Sequence, residues 1–181
     1  MKTDHFDILI IGAGISGIGI ACRLSQRFPE RRIAILERRA AAGGTWDLFR
    51  YPGIRSDSDM FSYAYDLRPW LKPEILASGG EILNYLDATI EEFGIRDMIR
   101  FGHRVEAADW NSEAADWHVK AVDETCGEAR DFSARFLVAC TGYYDQDRGY
   151  MPDFPGADEF TGRIVHPQHW PDDLEYRDKN V

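Results

Sequence analysis

The feature that most constrains this chain is a glycine motif near its start, GAGISG at residues 12–17, with the spacing G-x-G-x-x-G. The apolar run Phe6–Ile11 before it is typical of a buried strand in a parallel sheet. A helix is predicted over Ile18–Arg27, and a second strand over Arg32–Glu37. This order of strand, glycine turn, helix and strand predicts a right-handed β-α-β unit and an α/β fold.

The same unit predicts a dinucleotide site. Gly12 permits the tight turn, Gly14 lets a diphosphate approach the backbone, and Gly17 lets helix and strand pack closely. The free N–H groups at the helix start attract an anion. Glu37 follows Gly17 by 20 residues, where a carboxylate can accept hydrogen bonds from ribose hydroxyls. Because a carboxylate there disfavours a 2′-phosphate, the site is predicted to hold NAD or the ADP half of FAD.

Composition excludes several kinds of partner. With 31 acidic and 21 basic residues, the chain has a formal charge of −10, which argues against binding to nucleic acid or to an anionic membrane. The first apolar run is too short and too broken by glycine for a signal peptide or a membrane anchor. Cys22, Cys126 and Cys140 have no zinc or redox spacing, so we expect no metal site and a cytoplasmic location.

The remaining chain is organised around a long aromatic loop. Residues 38–78 lack clear periodicity but carry many aromatic side chains, which indicates an ordered, ligand-facing segment. Ser78 and Glu81 have capping-box spacing ahead of an amphipathic helix. Further strands are predicted at residues 99–101, 103–110, 116–122, 129–132 and 136–140, the middle three as an antiparallel meander and the last as a buried strand.

This order of elements resembles the flavoproteins that have two dinucleotide-binding domains, the first of which holds an extended FAD. The resemblance implies a Rossmann-like FAD-binding domain over residues 1–150, with a three-stranded antiparallel β-meander at about 103–133. Residues 151–175 would form a linker, and residues 176–181 would be the truncated start of an NADPH-binding domain.

Two motifs indicate which family of these flavoproteins the chain resembles. Residues 43–57, GGTWDLFRYPGIRSD, are similar to the signature loop of FAD-containing Baeyer–Villiger monooxygenases, especially the mycobacterial ethionamide-activating type. Residues 160–171 match the F-x-G-x-x-x-H-x-x-x-W-[P/D] fingerprint of the same flavin monooxygenases, with Phe160, Gly162, His166 and Trp170 in the specified positions. The resemblance covers residues 7–181.

The resemblance implies a role for each residue of the site. Ser16 would hold the pyrophosphate of FAD, Glu37 the adenosine ribose, and Val105 would touch the adenine. The flavin side would be lined by Thr45, Trp46, Asp47 and Leu48. The nicotinamide of NADPH would face Arg55, Ser56 and Asp57, of which Asp57, beside the isoalloxazine, is the candidate catalytic residue. The predicted cofactor-binding set is completed by Gly12, Gly14, Gly17, Gly44, Thr141 and Gly142.

The activity that the resemblance implies is oxidation of a ketone or a sulfur centre by O₂, with FAD and NADPH as cofactors, through a flavin C4a-peroxide. The family has a second glycine motif and an arginine further along the chain, and neither occurs in these 181 residues. We therefore expect an N-terminal fragment without turnover of its own. Two alternatives stay open: an N- or S-hydroxylating flavin monooxygenase, and a non-catalytic FAD-binding module.

Three residue assignments also have structural alternatives. Asp57 could cap a helix that begins near Met60. Arg50 and Arg55 could pair with Asp57 or Asp59 instead of contacting a cofactor. For His166, organisation of a hinge is favoured over proton transfer.

Overall fold

The fold is described by a computed structural model for residues 3–181. Its strands are β1 (Asp4–Ile11), β2 (Ile33–Leu36), β3 (Ile99–Arg100), β4 (His103–Asn111), β5 (Asp116–Asp123) and β6 (Ala129–Ala139). They form one sheet in the order β3-β2-β1-β6-β5-β4. The helices are α1 (Ile15–Arg27), α2 (Thr45–Leu48), α3 (Met60–Tyr63) and α4 (Gly79–Glu92). The predicted Rossmann-like α/β class is confirmed.

The sheet has a parallel half and an antiparallel half. Strands β3, β2, β1 and β6 pair in parallel, whereas β4, β5 and the first part of β6 pair antiparallel. All four residues of β2 are buried because both faces of the sheet are covered there. One apolar core includes residues of α1, α4 and the sheet, and a second joins β1 and β2 to β5 and β6.

Strand β6 differs from the prediction. Separate strands were expected at residues 129–132 and 136–140, but the structure has a single strand of 11 residues. Phe132, Ser133 and Ala134 pair with β5 on one side and β1 on the other. The apolar pattern is interrupted at Ser133 and Arg135, yet backbone pairing on two sides does not depend on apolar side chains. The last meander strand and the returning strand are therefore one element.

The two long helices begin for different reasons. Helix α1 begins at Ile15, three residues before the predicted Ile18, so its first turn contains Ser16 and Gly17. Helix α4 begins with the predicted capping box: Ser78 accepts a hydrogen bond from the Glu81 backbone N–H, and the Glu81 carboxylate accepts one from Ser78 N–H at 3.0 Å. Among residues 3–181, no helix is long and apolar enough to cross a membrane.

Candidate functional site

The glycine loop lies where β1 ends, at the carboxyl edge of the parallel strands. Gly12 has φ of 98°, a backbone conformation that favours glycine, and its N–H donates to the Leu36 carbonyl at 2.8 Å. A Cβ on Gly12 would lie 2.5 Å from the carbonyl oxygen of Cys140, just after β6. The loop is thus held between the ends of three neighbouring strands.

The start of α1 offers unpaired backbone donors. Gly14 occupies the N-cap position, and no side chain of residues 3–181 caps this helix. The first N–H groups of a helix have no partner inside it, and the helix dipole adds partial positive charge at this end. An anion placed beside Ser16 would satisfy these donors, and the exposed Ser16 lies on the cavity described below.

Glu37 follows the last residue of β2 and is only 3% exposed. Its carboxylate accepts hydrogen bonds from the backbone N–H of Ala13 at 2.6 Å and of Arg39 at 2.8 Å. The carboxylate therefore joins the end of β2 to the glycine loop. It is placed where the sequence predicted a ribose-binding carboxylate, on the wall of the same cavity as Gly14.

The aromatic loop is anchored directly on the glycine loop. Gly43 N–H donates to the Ala13 carbonyl at 2.9 Å, and a Cβ on Gly44 would lie 2.9 Å from the Cα of Gly14. Any other residue at position 44 would push the backbone of the aromatic loop away from that of the glycine loop. The contact sets α2 beside the helix start, where the Trp46 indole N–H donates to the Tyr63 hydroxyl at 2.8 Å.

These elements enclose a cavity of about 1320 Å³. Its far wall comes from the segment after β6 and from residues 166–168. The structure brings most of the predicted cofactor residues together on this cavity: Gly12, Gly14, Ser16, Glu37, Gly44, Thr45, Trp46, Leu48, Arg55, Asp57, Thr141 and Gly142. The cavity is larger than the roughly 300–1,000 Å³ typical of drug-sized ligands. Its volume therefore leaves room for a ligand as large as a dinucleotide.

Asp47 was predicted on the flavin side but does not line the cavity. Its side chain is buried and accepts hydrogen bonds from Arg39 Nε at 2.7 Å and from Arg50 at 2.6 Å. Burying a carboxylate is costly unless it is paired, and two arginines satisfy this one. Asp47 thus links α2 to the first residues of the aromatic loop, just after β2.

Three other predicted residues also lie off the cavity lining. Ser56 is buried, and its hydroxyl donates to the Ser58 carbonyl at 2.6 Å. Val105 is half-buried and packs on the apolar core shared by β1, β5 and β6. Gly17 serves packing, because a Cβ there would lie 1.9 Å from the Gly12 carbonyl oxygen. The packing role of Gly17 is the one that the glycine spacing predicted, whereas the inward direction of Ser56 and the core packing of Val105 depend on contacts made on folding.

The structural alternatives for Asp57 and Arg50 are also answered. Helix α3 is capped by Asp59, which accepts a hydrogen bond from Ser62 N–H at 2.8 Å, so the alternative role of Asp57 as its cap was wrong. The same bond lowers the pKa of Asp59. Arg50 pairs with Asp47 and not with Asp57 or Asp59. Asp57 stays exposed on the cavity wall.

The sequence did not anticipate the contribution of residues 143–150 to the cavity. The rings of Tyr143 and Tyr144 are in contact, with centroids 4.5 Å apart and an interplanar angle of 39°, and both residues line the cavity. An ion pair between Arg38 and Asp147 fixes the segment beside Glu37, which lowers the pKa of Asp147 and raises that of Arg38. The adjacent tyrosines directly after Thr141-Gly142 were the available signal.

The fingerprint residues make local packing contacts. The ring of Phe160 lies over Gly162, and the His166 ring lies against Gly149, so a Cβ on either glycine would overlap a ring. His166 Nδ1 accepts a hydrogen bond from Gln168 N–H at 3.1 Å, and Gln168 Nε2 donates to the Asp145 carbonyl at 2.7 Å. His166 and Gln168 thereby attach the last part of the chain to the far wall.

The fold and the cavity together define a Rossmann-like dinucleotide-binding domain. In agreement, the family model described as NAD(P)-binding Rossmann-like domain matches residues 10–68. Residues 10–68 contain the last two residues of β1, the glycine loop, α1, β2 and the aromatic loop as far as Arg68.

Proteins similar to this chain are flavin-dependent. The FAD-containing monooxygenase MymA of Mycobacterium tuberculosis (strain CDC 1551 / Oshkosh) is 54% identical over 99% of the chain, which spans 36% of MymA. The FAD-containing monooxygenase EthA of Mycolicibacterium smegmatis is 51% identical over 99% of the chain, which spans 36% of EthA. Among solved structures, the NADP⁺-bound cyclohexanone monooxygenase of Rhodococcus sp. Phi1 superposes on this chain with a TM-score of 0.77 and 26% sequence identity. The match covers 96% of this chain and 32% of the cyclohexanone monooxygenase.

The chain is thus similar in sequence to FAD-containing monooxygenases and in structure to cyclohexanone and steroid monooxygenases. It spans about a third of the length of these proteins.

Proposed function

We propose that this chain binds FAD in the cavity between the glycine loop and the aromatic loop. The observation that carries the proposal is a continuous cavity that joins the unpaired donors at the start of α1 to the indole of Trp46. The diphosphate would lie beside Gly14 and Ser16, and Glu37 would turn from Ala13 towards the ribose. The flavin would lie against Thr45, Trp46 and Leu48.

We further propose that the chain supplies the FAD-binding part of an NADPH- and O₂-dependent monooxygenase acting on ketones or sulfur centres. Bound FAD would supply the oxygen chemistry, while the protein orients the cofactor and limits the access of water. Arg55 and Asp57 lie exposed on the cavity and would face the nicotinamide, with Asp57 beside the flavin as the candidate catalytic residue. The names of the relatives and the ketone in the name of the structural neighbour support this proposal.

Titration with FAD, followed by flavin absorbance and calorimetry, tests the proposed binding. We expect one FAD per chain and clearly tighter binding of FAD than of FMN, because FMN lacks the adenosine that would reach Glu37. Equal affinity for FAD and FMN would contradict the placement of the adenosine. Absence of FAD binding would refute the proposed function.

Bound FAD is expected to protect Cys140 from alkylation. Cys140 lines the cavity, and burial raises the pKa of its thiol, so labelling should be slow at neutral pH and faster as the pH rises. Peptide mass spectrometry after timed iodoacetamide treatment should show slower labelling of Cys140 with saturating FAD.

Two other cysteines serve as internal controls for this measurement. Cys126 is exposed and should be labelled at the same rate with or without FAD. Cys22 is buried, which raises the pKa of its thiol to about 11, and should remain unlabelled in the folded chain. An unchanged rate at Cys140 with saturating FAD would place the cofactor elsewhere.

The chain with FAD is expected not to oxidise NADPH in the presence of a cyclic ketone or a thioether. The 181 residues contain a single G-x-G-x-x-G loop, and the proposal assigns that loop to FAD. NADPH absorbance and analysis of the organic products measure the outcome. Formation of an ester from the ketone would show that this chain alone suffices for turnover.

A further inference from the structure

Tyr65 connects the aromatic loop to the first turn of the helix that bears the unpaired donors. Its hydroxyl donates a hydrogen bond to the backbone carbonyl of Ile15 at 2.5 Å, across 50 positions of sequence. Ile15 is the first residue of α1 and lines the cavity, whereas Tyr65 does not line it. Tyr65 therefore reaches the helix start from behind, on the side away from a ligand.

The position of Tyr65 is fixed from three directions. Its ring lies against Gly19 of α1, where a Cβ would come within 2.6 Å of the ring. Its backbone N–H donates to the Tyr85 hydroxyl at 2.8 Å, and that hydroxyl in turn donates to the Arg68 carbonyl at 2.6 Å. Burial raises the pKa of Tyr65, so its hydroxyl keeps the proton that it donates. The donor is thus constant in position and in protonation.

The Ile15 carbonyl and the Ser16 N–H belong to one peptide group. A hydrogen bond to the carbonyl oxygen polarises that group and makes its N–H a stronger donor, since linked hydrogen bonds reinforce each other. Ser16 is the second residue of α1, so its N–H is among those without a partner inside the helix. Polarisation by Tyr65 would therefore act on a donor that is available to a ligand.

We propose that Tyr65 is a positioning residue for the diphosphate of the bound dinucleotide, acting through the Ile15–Ser16 peptide group. The inference rests on the proposed function, because it assumes that a diphosphate binds beside Ser16. Tyr65 itself contacts no ligand. It sets the direction of the Ser16 N–H bond and the strength of that N–H as a hydrogen-bond donor. Both therefore depend on the packing of the aromatic loop.

The test compares Tyr65→Phe with the wild-type chain for two ligands, ADP and adenosine. The substitution removes only the hydroxyl and leaves the ring against Gly19. We expect the Kd for ADP to rise about 1.3- to 5-fold, because the hydrogen bond from Ser16 N–H to the phosphate is weakened and not lost. The Kd for adenosine, which has no phosphate, should not change. An equal loss for both ligands would indicate a general structural effect and overturn the proposal.

Thr89→Val is the matched control variant. It also removes a buried hydroxyl that donates to a backbone carbonyl, but that carbonyl belongs to Tyr85 on α4 and lies outside α1. Thermal unfolding should show comparable destabilisation of the two variants, while only Tyr65→Phe selectively weakens ADP. If the Kd for ADP rises equally in both variants, Tyr65 has no specific role.

A second readout needs no ligand. The amide proton resonance of Ser16 should move upfield in Tyr65→Phe, because its peptide group loses polarisation, and should stay in place in Thr89→Val. An unchanged Ser16 resonance would overturn the inference even if the chain binds FAD well. If the wild-type chain binds neither ADP nor FAD, it is the proposed function that fails, so the two failures are distinguishable.

Discussion

Replacement of Gly17 with alanine is expected to lower the free energy of unfolding by about 3 kcal/mol or more. The added Cβ would lie 1.9 Å from the carbonyl oxygen of Gly12 and 3.5 Å from the side chain of Ile10. The nearest obstacle is backbone and cannot rotate away, so α1 would have to move off β1. Urea unfolding followed by circular dichroism measures the loss.

Gly14→Ala is the counterpart within the same motif. A Cβ at position 14 would lie 3.6 Å from Gly44 Cα, an ordinary contact, and φ of −79° suits any residue. The fold should therefore persist. The added methyl group would, however, hinder a diphosphate from reaching the backbone N–H groups at the start of α1. FAD affinity should fall about 10- to 100-fold, equivalent to about 1.4–2.8 kcal/mol. Equal destabilisation by both substitutions would show that the two glycines do not have separate roles.

Glu37→Ala is expected to impair both stability and FAD binding. The carboxylate is buried and accepts hydrogen bonds from two backbone N–H groups, of Ala13 and Arg39. Its removal leaves both donors unsatisfied, at a cost of about 2–4 kcal/mol in the free energy of unfolding. Loss of the ribose contact should weaken FAD by a further 1–3 kcal/mol, or about 5- to 150-fold.

Glu37→Gln separates the two effects of that substitution. Glutamine keeps the size and one oxygen acceptor, so one of the two N–H groups keeps its partner and about half of the lost stability should return, while the charged acceptor for ribose hydroxyls is lost. Calorimetric titration with FAD and urea unfolding on the same samples measure both quantities. If Glu37→Gln binds FAD as tightly as the wild type, the carboxylate is not a ribose ligand.

Local patterns in the sequence account for the parts of the site that depend on neighbouring residues. The glycine spacing, the apolar strands on both sides and the carboxylate after the second strand predicted the β-α-β unit, and the structure has it, with α1 beginning three residues before the predicted start. The capping box at Ser78 was predicted for the same reason, since both of its hydrogen bonds span three residues. In each case the interacting groups are close along the chain, so their spacing carries the information.

Side-chain direction in the aromatic loop could not be predicted in this way. Asp47 sits between Trp46 and Leu48, which both line the cavity, yet it faces the other way because Arg39 and Arg50 offer partners for its buried charge. Val105 was expected at the cofactor and instead packs on the second apolar core. In both cases contacts made on folding decide the outcome.

The sequence by itself determined that this chain is an α/β dinucleotide-binding domain with a glycine loop, an acidic strand end and an aromatic loop. Each of these is a short-range pattern with one favourable local structure. Only the tertiary structure decided that β6 is continuous, that residues 143–150 close the cavity, and that Tyr65 holds the start of α1. Those features depend on hydrogen bonds and ion pairs between residues far apart in sequence, which form only when the sheet brings the strand ends together.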